Sequence, residues 1–205
     1  MIAKYLLMSF LMLINLSAIG QSPESHYESG MVKLQLGDFQ GAITYYSKAI
    51  ELDRTFVNAY VRLSEAHVAL GDYRSAVRDV TSVIELEPAN FKAYYNRGCF
   101  KTELEDSFGA VHDFGKVIEI NPSYLPGYYN RGLALTRLKQ YGNAIKDFSI
   151  VIELDGRNPM GYYGRGVARV LSGGIYSLES GCLDLSKAGE LGDDKAYEVI
   201  KQYCK

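Results

Sequence analysis

The chain has 205 residues, of which 47% are hydrophobic and 22% charged, with a formal net charge of −2 at pH 7. This composition excludes a disordered or low-complexity chain, because enough apolar surface is present to offset chain entropy. The small net charge gives no broad basic field, so we expect no nucleic-acid binding. The aromatic residues are 17 Tyr, 8 Phe and no Trp, and tyrosine suits half-exposed binding surfaces as well as cores.

Residues 1–20 have the layout of a secretory signal peptide. Lys4 supplies one positive charge, an apolar run follows over residues 5–19, and small residues precede a cut before Gln21. An uncleaved membrane anchor is the alternative, but a spanning helix needs about 20 apolar residues and this run is shorter. We therefore expect an exported protein, periplasmic or secreted, with no membrane contact beyond the transit of the signal peptide.

From residue 23 onward the sequence repeats every 34 residues. Equivalent aromatic residues recur at Tyr60, Tyr94, Tyr128 and Tyr162. Apolar residues in each period follow helical spacing, and turn residues interrupt them at 37–38, 71–72, 105–106 and 139–140. Small residues that allow two helices to approach closely recur at Gly30, Ser64, Gly98, Gly132 and Gly166. Each period is therefore predicted to be a pair of antiparallel helices.

This pattern resembles the tetratricopeptide repeat (TPR), most closely the exported TPR proteins of bacteria. The resemblance implies an all-α fold, a right-handed TPR α-solenoid of about five helix-turn-helix repeats with a C-terminal capping helix. The first four repeats are placed at 23–56, 57–90, 91–124 and 125–158. An irregular fifth repeat, with three extra residues, occupies 159–193, and the capping helix 194–205. The first repeat departs from the family in carrying His26 at the first aromatic position.

Repeats and cap use the whole chain after residue 22, which leaves no segment for a separate catalytic domain. The histidines lie far apart in sequence, with no cysteine or acidic cluster at ligand spacing, so we expect no metal site and no cofactor. The glycines Gly161, Gly164 and Gly166 resemble a phosphate loop but fall inside a predicted helix, where they serve close packing. The sequence thus predicts a protein that is not an enzyme.

The resemblance also implies a concave groove lined by the first helix of each repeat. Residues at the groove positions are Tyr27, Arg62, Tyr95, Asn96, Tyr129, Asn130 and Tyr163. Aromatic rings flanked by amides suit an extended peptide, because the rings supply contact area and the amides bond to the peptide backbone. The alternative is that the tyrosines pack only between neighbouring first helices.

Two functions follow from this groove and from the absence of spare sequence. The first is a non-enzymatic scaffold or adaptor that binds a protein or extended peptide in the groove. The alternative is a structural accessory subunit of an envelope complex that uses its convex face or its ends.

Three arginines, Arg97, Arg131 and Arg165, occupy a position where many family members have leucine. An aspartate lies eighteen residues before each of them, at Asp79, Asp113 and Asp147. This spacing predicts ion pairs between successive repeats, whereas pairing within one repeat, such as Arg97 with Asp113, is the alternative.

Two of the three cysteines lie at similar distances from a predicted turn near residues 192–193. An antiparallel helix pair would bring Cys182 and Cys204 level, so an exported protein could join them by a disulfide. Two reduced thiols are the alternative, and Cys99 is expected to be free.

Overall fold

The computed structural model describes residues 22–204, which form eleven α-helices, and no strand occurs in this part of the chain. The chain divides into two compact units, of which the first ends at Pro88 and the second begins at Ala89. The predicted all-α class is confirmed. The predicted signal peptide, residues 1–20, lies outside the described residues.

The first unit contains two helix pairs. These are α1 (Pro23–Gln35) with α2 (Phe39–Leu52), and α3 (Val57–Ala69) with α4 (Tyr73–Leu86). Each helix packs on the next, and α1 also contacts α3. The first helices of the two pairs are therefore neighbours on one side of this unit.

The second unit contains three helix pairs and a final helix. The helices are α5 (Phe91–Glu103), α6 (Ser107–Ile120), α7 (Leu125–Arg137), α8 (Tyr141–Leu154), α9 (Pro159–Ser172), α10 (Ile175–Glu190) and α11 (Lys195–Tyr203). Each helix again packs on the next, while α5 contacts α7 and α7 contacts α9. The first helices of the pairs therefore form one layer, which carries the predicted groove residues of this unit.

The turn within each of the first four pairs uses one residue in the left-handed region. Gly37 and Gly71 both have a φ of 74°, whereas Glu105 and Lys139 adopt φ values of 60° and 58°. Glycine takes this conformation at little cost because it has no Cβ atom, but other residues do so less readily. The third and fourth repeats thus keep the turn geometry without the residue that favours it.

Side-chain caps begin the second helix in three of these four pairs. The carboxylates of Asp38, Asp72 and Asp106 accept hydrogen bonds from the backbone N–H three residues later, at 2.9, 3.0 and 2.9 Å. Such a bond satisfies one of the N–H groups that a helix start leaves unpaired. Gln140 occupies the fourth position and makes no such bond.

Glycine in the first helix of a pair lets an aromatic ring of the second helix approach the backbone. A Cβ atom added to Gly98 would lie 2.8 Å from Cε1 of Phe114, and one added to Gly132 would lie 2.9 Å from Cε1 of Phe148. Both rings are buried, with exposures of 1% and 0%. Gly30 meets the ring of Tyr46 in the same way.

The last helix, α11, packs on α10 and also contacts α9. Its Ala196 is buried, and Val199 and Ile200 contact the cluster around Leu185. The charged side chains of Lys195, Glu198 and Lys201 are exposed. This division into an apolar and a polar face is that of a cap, which shields the last repeat from water.

A disulfide ties this cap to the preceding helix. It joins Cys182 of α10 to Cys204, which follows α11, and their Cα atoms are 5.8 Å apart. Cys99 in α5 is free and half-buried. No helix between residues 22 and 204 combines the length and the apolar character needed to cross a membrane.

Candidate functional site

The layer of first helices in the second unit places one tyrosine of the predicted groove on each helix. Tyr95 lies on α5, Tyr129 on α7 and Tyr163 on α9, and all three are half-buried. They follow one another at the 34-residue period, so contact between neighbouring first helices brings them into one row. The row is the part of the predicted groove that this unit contains.

Tyr95 packs by its ring and is hydrogen-bonded by its hydroxyl. Its ring centroid lies 5.8 Å from that of Phe114 and 5.4 Å from that of Tyr124. The Nδ2 atom of Asn130 donates a hydrogen bond of 3.0 Å to the Tyr95 hydroxyl. Burial is the largest of the effects that raise the pKa of Tyr95 to about 12. This contact joins the first helices of the third and fourth repeats.

The two asparagines of the predicted groove differ in their surroundings. Asn130 is half-buried and donates to Tyr95, so part of its hydrogen-bonding capacity is used within the fold. Asn96 is exposed on α5, one residue after Tyr95. Asn96 is therefore the amide of this unit that lies beside the tyrosine row and is open to solvent.

The other two tyrosines approach the C-terminal cap. Tyr129 packs on Phe148, with ring centroids 5.9 Å apart, and Tyr163 contacts the cluster that includes Val199 and Ile200 of α11. Burial and the nearby charge of Asp193 raise the pKa of both hydroxyls, and Glu198 adds to the effect on Tyr163. The row therefore ends under the cap, beside an acidic turn.

The first unit holds the other two predicted groove residues, Tyr27 and Arg62. The Tyr27 ring lies 5.7 Å from that of Tyr46 and 5.1 Å from that of Phe56. Arg62 Nη1 donates to Glu65 Oε2 at 2.8 Å, and Glu65 and then Tyr27 raise the pKa of Arg62. Tyr27 and Arg62 have the same sequence separation as Tyr95 and Asn130. Both units therefore place a polar residue of one repeat near the groove tyrosine of the repeat before it.

The predicted pairing of arginine with the aspartate of the preceding repeat is wrong for Arg131 and Arg165. Arg131 binds Asp147 of its own repeat through Nε and Nη2, at 2.8 and 2.7 Å. Arg165 binds Asp184 in the same manner, at 2.9 and 2.8 Å. Arg97 likewise binds Asp113, at 2.9 and 2.7 Å. The reason is that the two helices of a pair face each other directly, so the two-pronged guanidinium reaches the aspartate of its own pair.

Further cations, which were not predicted from the sequence, reach these aspartates from one helical turn later. Lys101 Nζ lies 2.8 Å from Asp113, and Arg169 Nη1 lies 2.6 Å from Asp184. In the second repeat His67 holds this position, with its Nδ1 atom 2.6 Å from Asp79. The recurrence of a basic residue four positions after the arginine position was the signal available in the sequence.

Asp184 was also missed as a partner of Arg165. It follows Arg165 by 19 residues, whereas Asp147 follows Arg131 by 16. The difference equals the three residues inserted in the fifth repeat. Counting the insertion would have placed Asp184 opposite Arg165.

The structure also bears on the glycine motif and on the expected absence of a metal site. Gly161, Gly164 and Gly166 are buried within α9, where added Cβ atoms would meet side chains of Val151, Phe148 and Leu185. Residues 22–204 hold no group of three or more His, Cys, Asp or Glu side chains that could bind a metal ion.

Comparison with known proteins identifies the repeat. A family model described as TPR repeat matches residues 30–71, and models described as tetratricopeptide repeat match 61–98, 91–124 and 125–158. These ranges together span more than half of the chain. A search of curated proteins gave no match.

Solved structures with the same fold include two proteins named MamA and YrrB. The MamA crystal structure is 22% identical, with a TM-score of 0.77, and the match covers 87% of this chain and 96% of MamA. YrrB, described as a TPR protein with an unusual peptide-binding site, is 20% identical with a TM-score of 0.78. That match covers 91% of this chain and 97% of YrrB.

A third solved structure is MamA from Desulfovibrio magneticus RS-1. It is 21% identical, with a TM-score of 0.73, and the match covers 84% of this chain and 97% of that protein. The helix pairs, the 34-residue period and the matched ranges agree, and the chain belongs to the tetratricopeptide-repeat family.

Proposed function

We propose that this protein is a non-enzymatic scaffold that binds an extended peptide, or an extended segment of a protein, on its layer of first helices. The observation that carries the proposal is the tyrosine row of the second unit, Tyr95, Tyr129 and Tyr163, with the exposed amide of Asn96 beside it. Half-buried rings offer contact area at little cost in side-chain entropy, and an exposed amide can both donate to and accept from a peptide backbone. YrrB has the same fold and is described as having a peptide-binding site.

The row is fixed before any ligand binds. The rings of Tyr95 and Tyr129 pack on Phe114 and Phe148, and the Tyr95 hydroxyl is held by Asn130. A surface ordered in advance loses less entropy on binding than a mobile one. The same contacts also account for the alternative that the tyrosines serve packing, so the experiment must use a residue without a packing role.

Site-specific photo-crosslinking tests the proposal at Asn96. A photo-reactive amino acid replaces Asn96 in one variant and Asn143 in a control, and both asparagines are exposed in the second unit. Asn143 lies on α8, a second helix. In cells that express the protein we expect a discrete covalent adduct from position 96 and none from position 143. Adducts from position 143 alone would contradict binding on the first-helix layer.

That contrary result would support an accessory subunit that uses its outer face or its ends. The observation that favours this second function is a cleft of about 460 Å³, lined by Val111 of α6 and by Asn143, Lys146 and Ile150 of α8. In addition, Ile175, Tyr176 and Leu183 of α10 are 75%, 88% and 73% exposed.

We also propose that the protein is exported, to the periplasm or beyond the cell. The layout of residues 1–20 supports export, and so does the disulfide between Cys182 and Cys204, because disulfides persist in oxidising compartments. The partner is then a protein or peptide of the same compartment, and the small net charge gives no support for a nucleic acid.

A further inference from the structure

The ion-pair cluster between the two helices of a pair is smaller in the fourth repeat than in its neighbours. The buried aspartates of the third and fifth repeats each bind two cations, the arginine of their own pair and a second one four residues later, Lys101 or Arg169. Asp147 of the fourth repeat is paired, within residues 22–204, with Arg131 alone. Leu135 holds the position of the second cation. The fourth repeat therefore departs from the pattern at this point.

Arg131 also keeps N–H donors that the fold does not use. An arginine has five such donors, and in the described part of the chain only Nε and Nη2 of Arg131 donate, both to Asp147. In the fifth repeat the equivalent Nη1 atom, that of Arg165, donates to the Ser149 hydroxyl at 3.2 Å. Gly115 takes the place of that serine, and a Cβ atom added to it would lie 3.8 Å from Nη1 of Arg131. Nη1 of Arg131 thus lies beside α6 at a residue that offers it no side-chain acceptor.

The cleft of about 460 Å³ between α6, α7 and α8 opens beside this guanidinium. Its apolar lining residues are Val111, Leu135 and Ile150, and its polar ones are Arg131, Gln140, Asn143, Lys146 and Asp147. The volume lies within the range of small-molecule sites, which is about 300–1,000 Å³. The side chain of Arg131 is 27% exposed, so a molecule in the cleft can reach it from solvent.

The lining of the cleft has an excess of positive charge. Arg131 and Asp147 neutralise each other, whereas Lys146 is exposed and forms no ion pair within residues 22–204. Gln140 replaces the aspartate that begins the second helix in the first three repeats, so one carboxylate is missing here. The start of α8 adds the positive end of a helix dipole. The cleft therefore favours an anionic group over a cationic one.

We propose that this cleft binds a small molecule with a carboxylate group and an aliphatic chain. The carboxylate accepts hydrogen bonds from Nη1 of Arg131 and from the Lys146 ammonium, and the chain packs on the apolar lining residues. The charge of Asp147 opposes this binding little, because the other edge of the same guanidinium already neutralises it. The inference goes beyond the proposed function, since the cleft is lined mainly by second helices and lies apart from the tyrosine row.

Three probes with the same six-carbon chain test the chemistry, namely hexanoate, hexanamide and hexylammonium. Binding is followed by NMR on the ¹⁵N-labelled protein, through the Nε–H signals of arginine and the side-chain amide signals of asparagine. We expect hexanoate to shift the signals of Arg131 and Asn143, hexanamide to bind about tenfold more weakly, and hexylammonium to leave both signals in place. The signal of Arg165, whose Nη1 already donates to Ser149, should not move.

Two substitutions of Gly115 separate the hydrogen bond from the filling of space. Gly115→Ser supplies to Arg131 the hydroxyl that the fifth repeat has at Ser149, so it should occupy Nη1 and weaken hexanoate binding about fivefold. Gly115→Ala adds the same Cβ atom, at an ordinary contact distance, without the hydroxyl, and it should bind as the wild type does. Both replace a glycine within a helix, so neither should lower stability.

Lys146 is tested with a control of equal charge change. Lys146→Gln should weaken hexanoate binding about fivefold, because one charge-assisted bond is lost. Arg137→Gln removes the same charge from an exposed position on α7 outside the lining of the cleft, and it should change the affinity less than twofold.

Three results would overturn the site. They are equal responses to hexanoate and hexanamide or none to either, a stronger response to hexylammonium, and equal hexanoate affinity in Gly115→Ser and Gly115→Ala. A protein adduct from the photo-crosslinker at Asn143 that disappears in Gly115→Ser would assign the carboxylate to a protein and overturn the small-molecule ligand. Failure of the proposed function is read separately, from crosslinking at position 96.

Discussion

The amide nitrogen of Asn130 lies 3.0 Å from the hydroxyl oxygen of Tyr95 and donates to it. The two residues belong to the first helices of successive repeats, so the bond links α5 and α7 on the layer proposed to bind peptide. When a polar side chain hydrogen-bonds to its neighbour, it holds that neighbour in position. Fewer of its own donor and acceptor groups then remain free to bind a ligand.

The energy of this bond can be measured by a double-mutant cycle. Tyr95→Phe and Asn130→Ala each remove one partner, and we expect a coupling of about 1 kcal/mol in the free energy of unfolding. Chemical denaturation of the four proteins gives the value. Asn96→Ala with Tyr95→Phe is the control cycle, and a coupling there as large as at Asn130 would contradict the assignment.

The pairing of arginine with aspartate within one repeat can be tested by a second double-mutant cycle. Arg131 binds Asp147 through two hydrogen bonds, and Asp147 is 3% exposed. We expect Arg131→Gln and Asp147→Asn to be coupled by more than about 0.5 kcal/mol, and Arg131→Gln and Asp113→Asn to be nearly additive. A larger coupling of Arg131 with Asp113 than with Asp147 would instead support pairing between successive repeats.

We expect acid to destabilise the fold by protonating Asp113. Burial raises the pKa of Asp113, but the hydrogen bonds and charges of Arg97 and Lys101 outweigh it, so the pKa lies below its ordinary value. A carboxyl whose pKa is lower in the folded state stabilises the fold above its unfolded pKa, and this contribution is lost as the pH falls below about 4.

Asp113→Asn should therefore lower the free energy of unfolding at pH 7 by about 3 kcal/mol, since it leaves two cations without their buried partner. Its stability should also depend less on pH below 4 than that of the wild type. Urea denaturation at a series of pH values measures both effects. Asp194→Asn, at an exposed position, is the control and should follow the wild-type curve.

The start of α8 offers a stabilising substitution. Gln140 makes no capping bond, whereas aspartate at the equivalent positions of the first three repeats does. Gln140→Asp should raise the free energy of unfolding by about 1 kcal/mol. Thermal denaturation measures the gain, and Asp106→Gln should show a loss of similar size. Failure of both changes to alter stability would show that the cap contributes nothing here.

Export and the disulfide predict the mass of the mature chain and the number of cysteines that an alkylating agent can modify. The mature chain should begin at Gln21, and without reductant one of its three cysteines, Cys99, should react with an alkylating agent. Reduction should lower the free energy of unfolding by about 3 kcal/mol, because the bond closes a loop between residues 22 apart. Intact-mass spectrometry of the protein from its native compartment checks the start of the chain and the number of reactive thiols. Three reactive thiols there would contradict the bridge.

The helix pairs could be predicted from the sequence because a period of 34 residues averages out local irregularities. The turns at Glu105 and Lys139 show this, since neither residue favours the left-handed conformation and only their place in the period identifies them. Ion-pair partners could not be fixed in this way. For an arginine such as Arg131, an aspartate is available at similar distance in its own repeat and in the preceding one, and the choice depends on how the two helices face each other.

The Tyr95–Asn130 contact was beyond sequence reasoning for a different reason. The period places both residues on the first-helix layer, but whether the amide turns to the ligand or to its neighbour depends on side-chain rotamers.

The disulfide-tied helix α11 also limits how this protein can evolve. It contacts α10 and α9 as α9 itself contacts α8 and α7, so it takes the place that a sixth repeat would occupy. Duplication of a 34-residue segment can lengthen the array upstream of Cys182. A repeat added directly after α10 would have to displace a helix that is covalently held, so an added repeat is accommodated more readily upstream of Cys182.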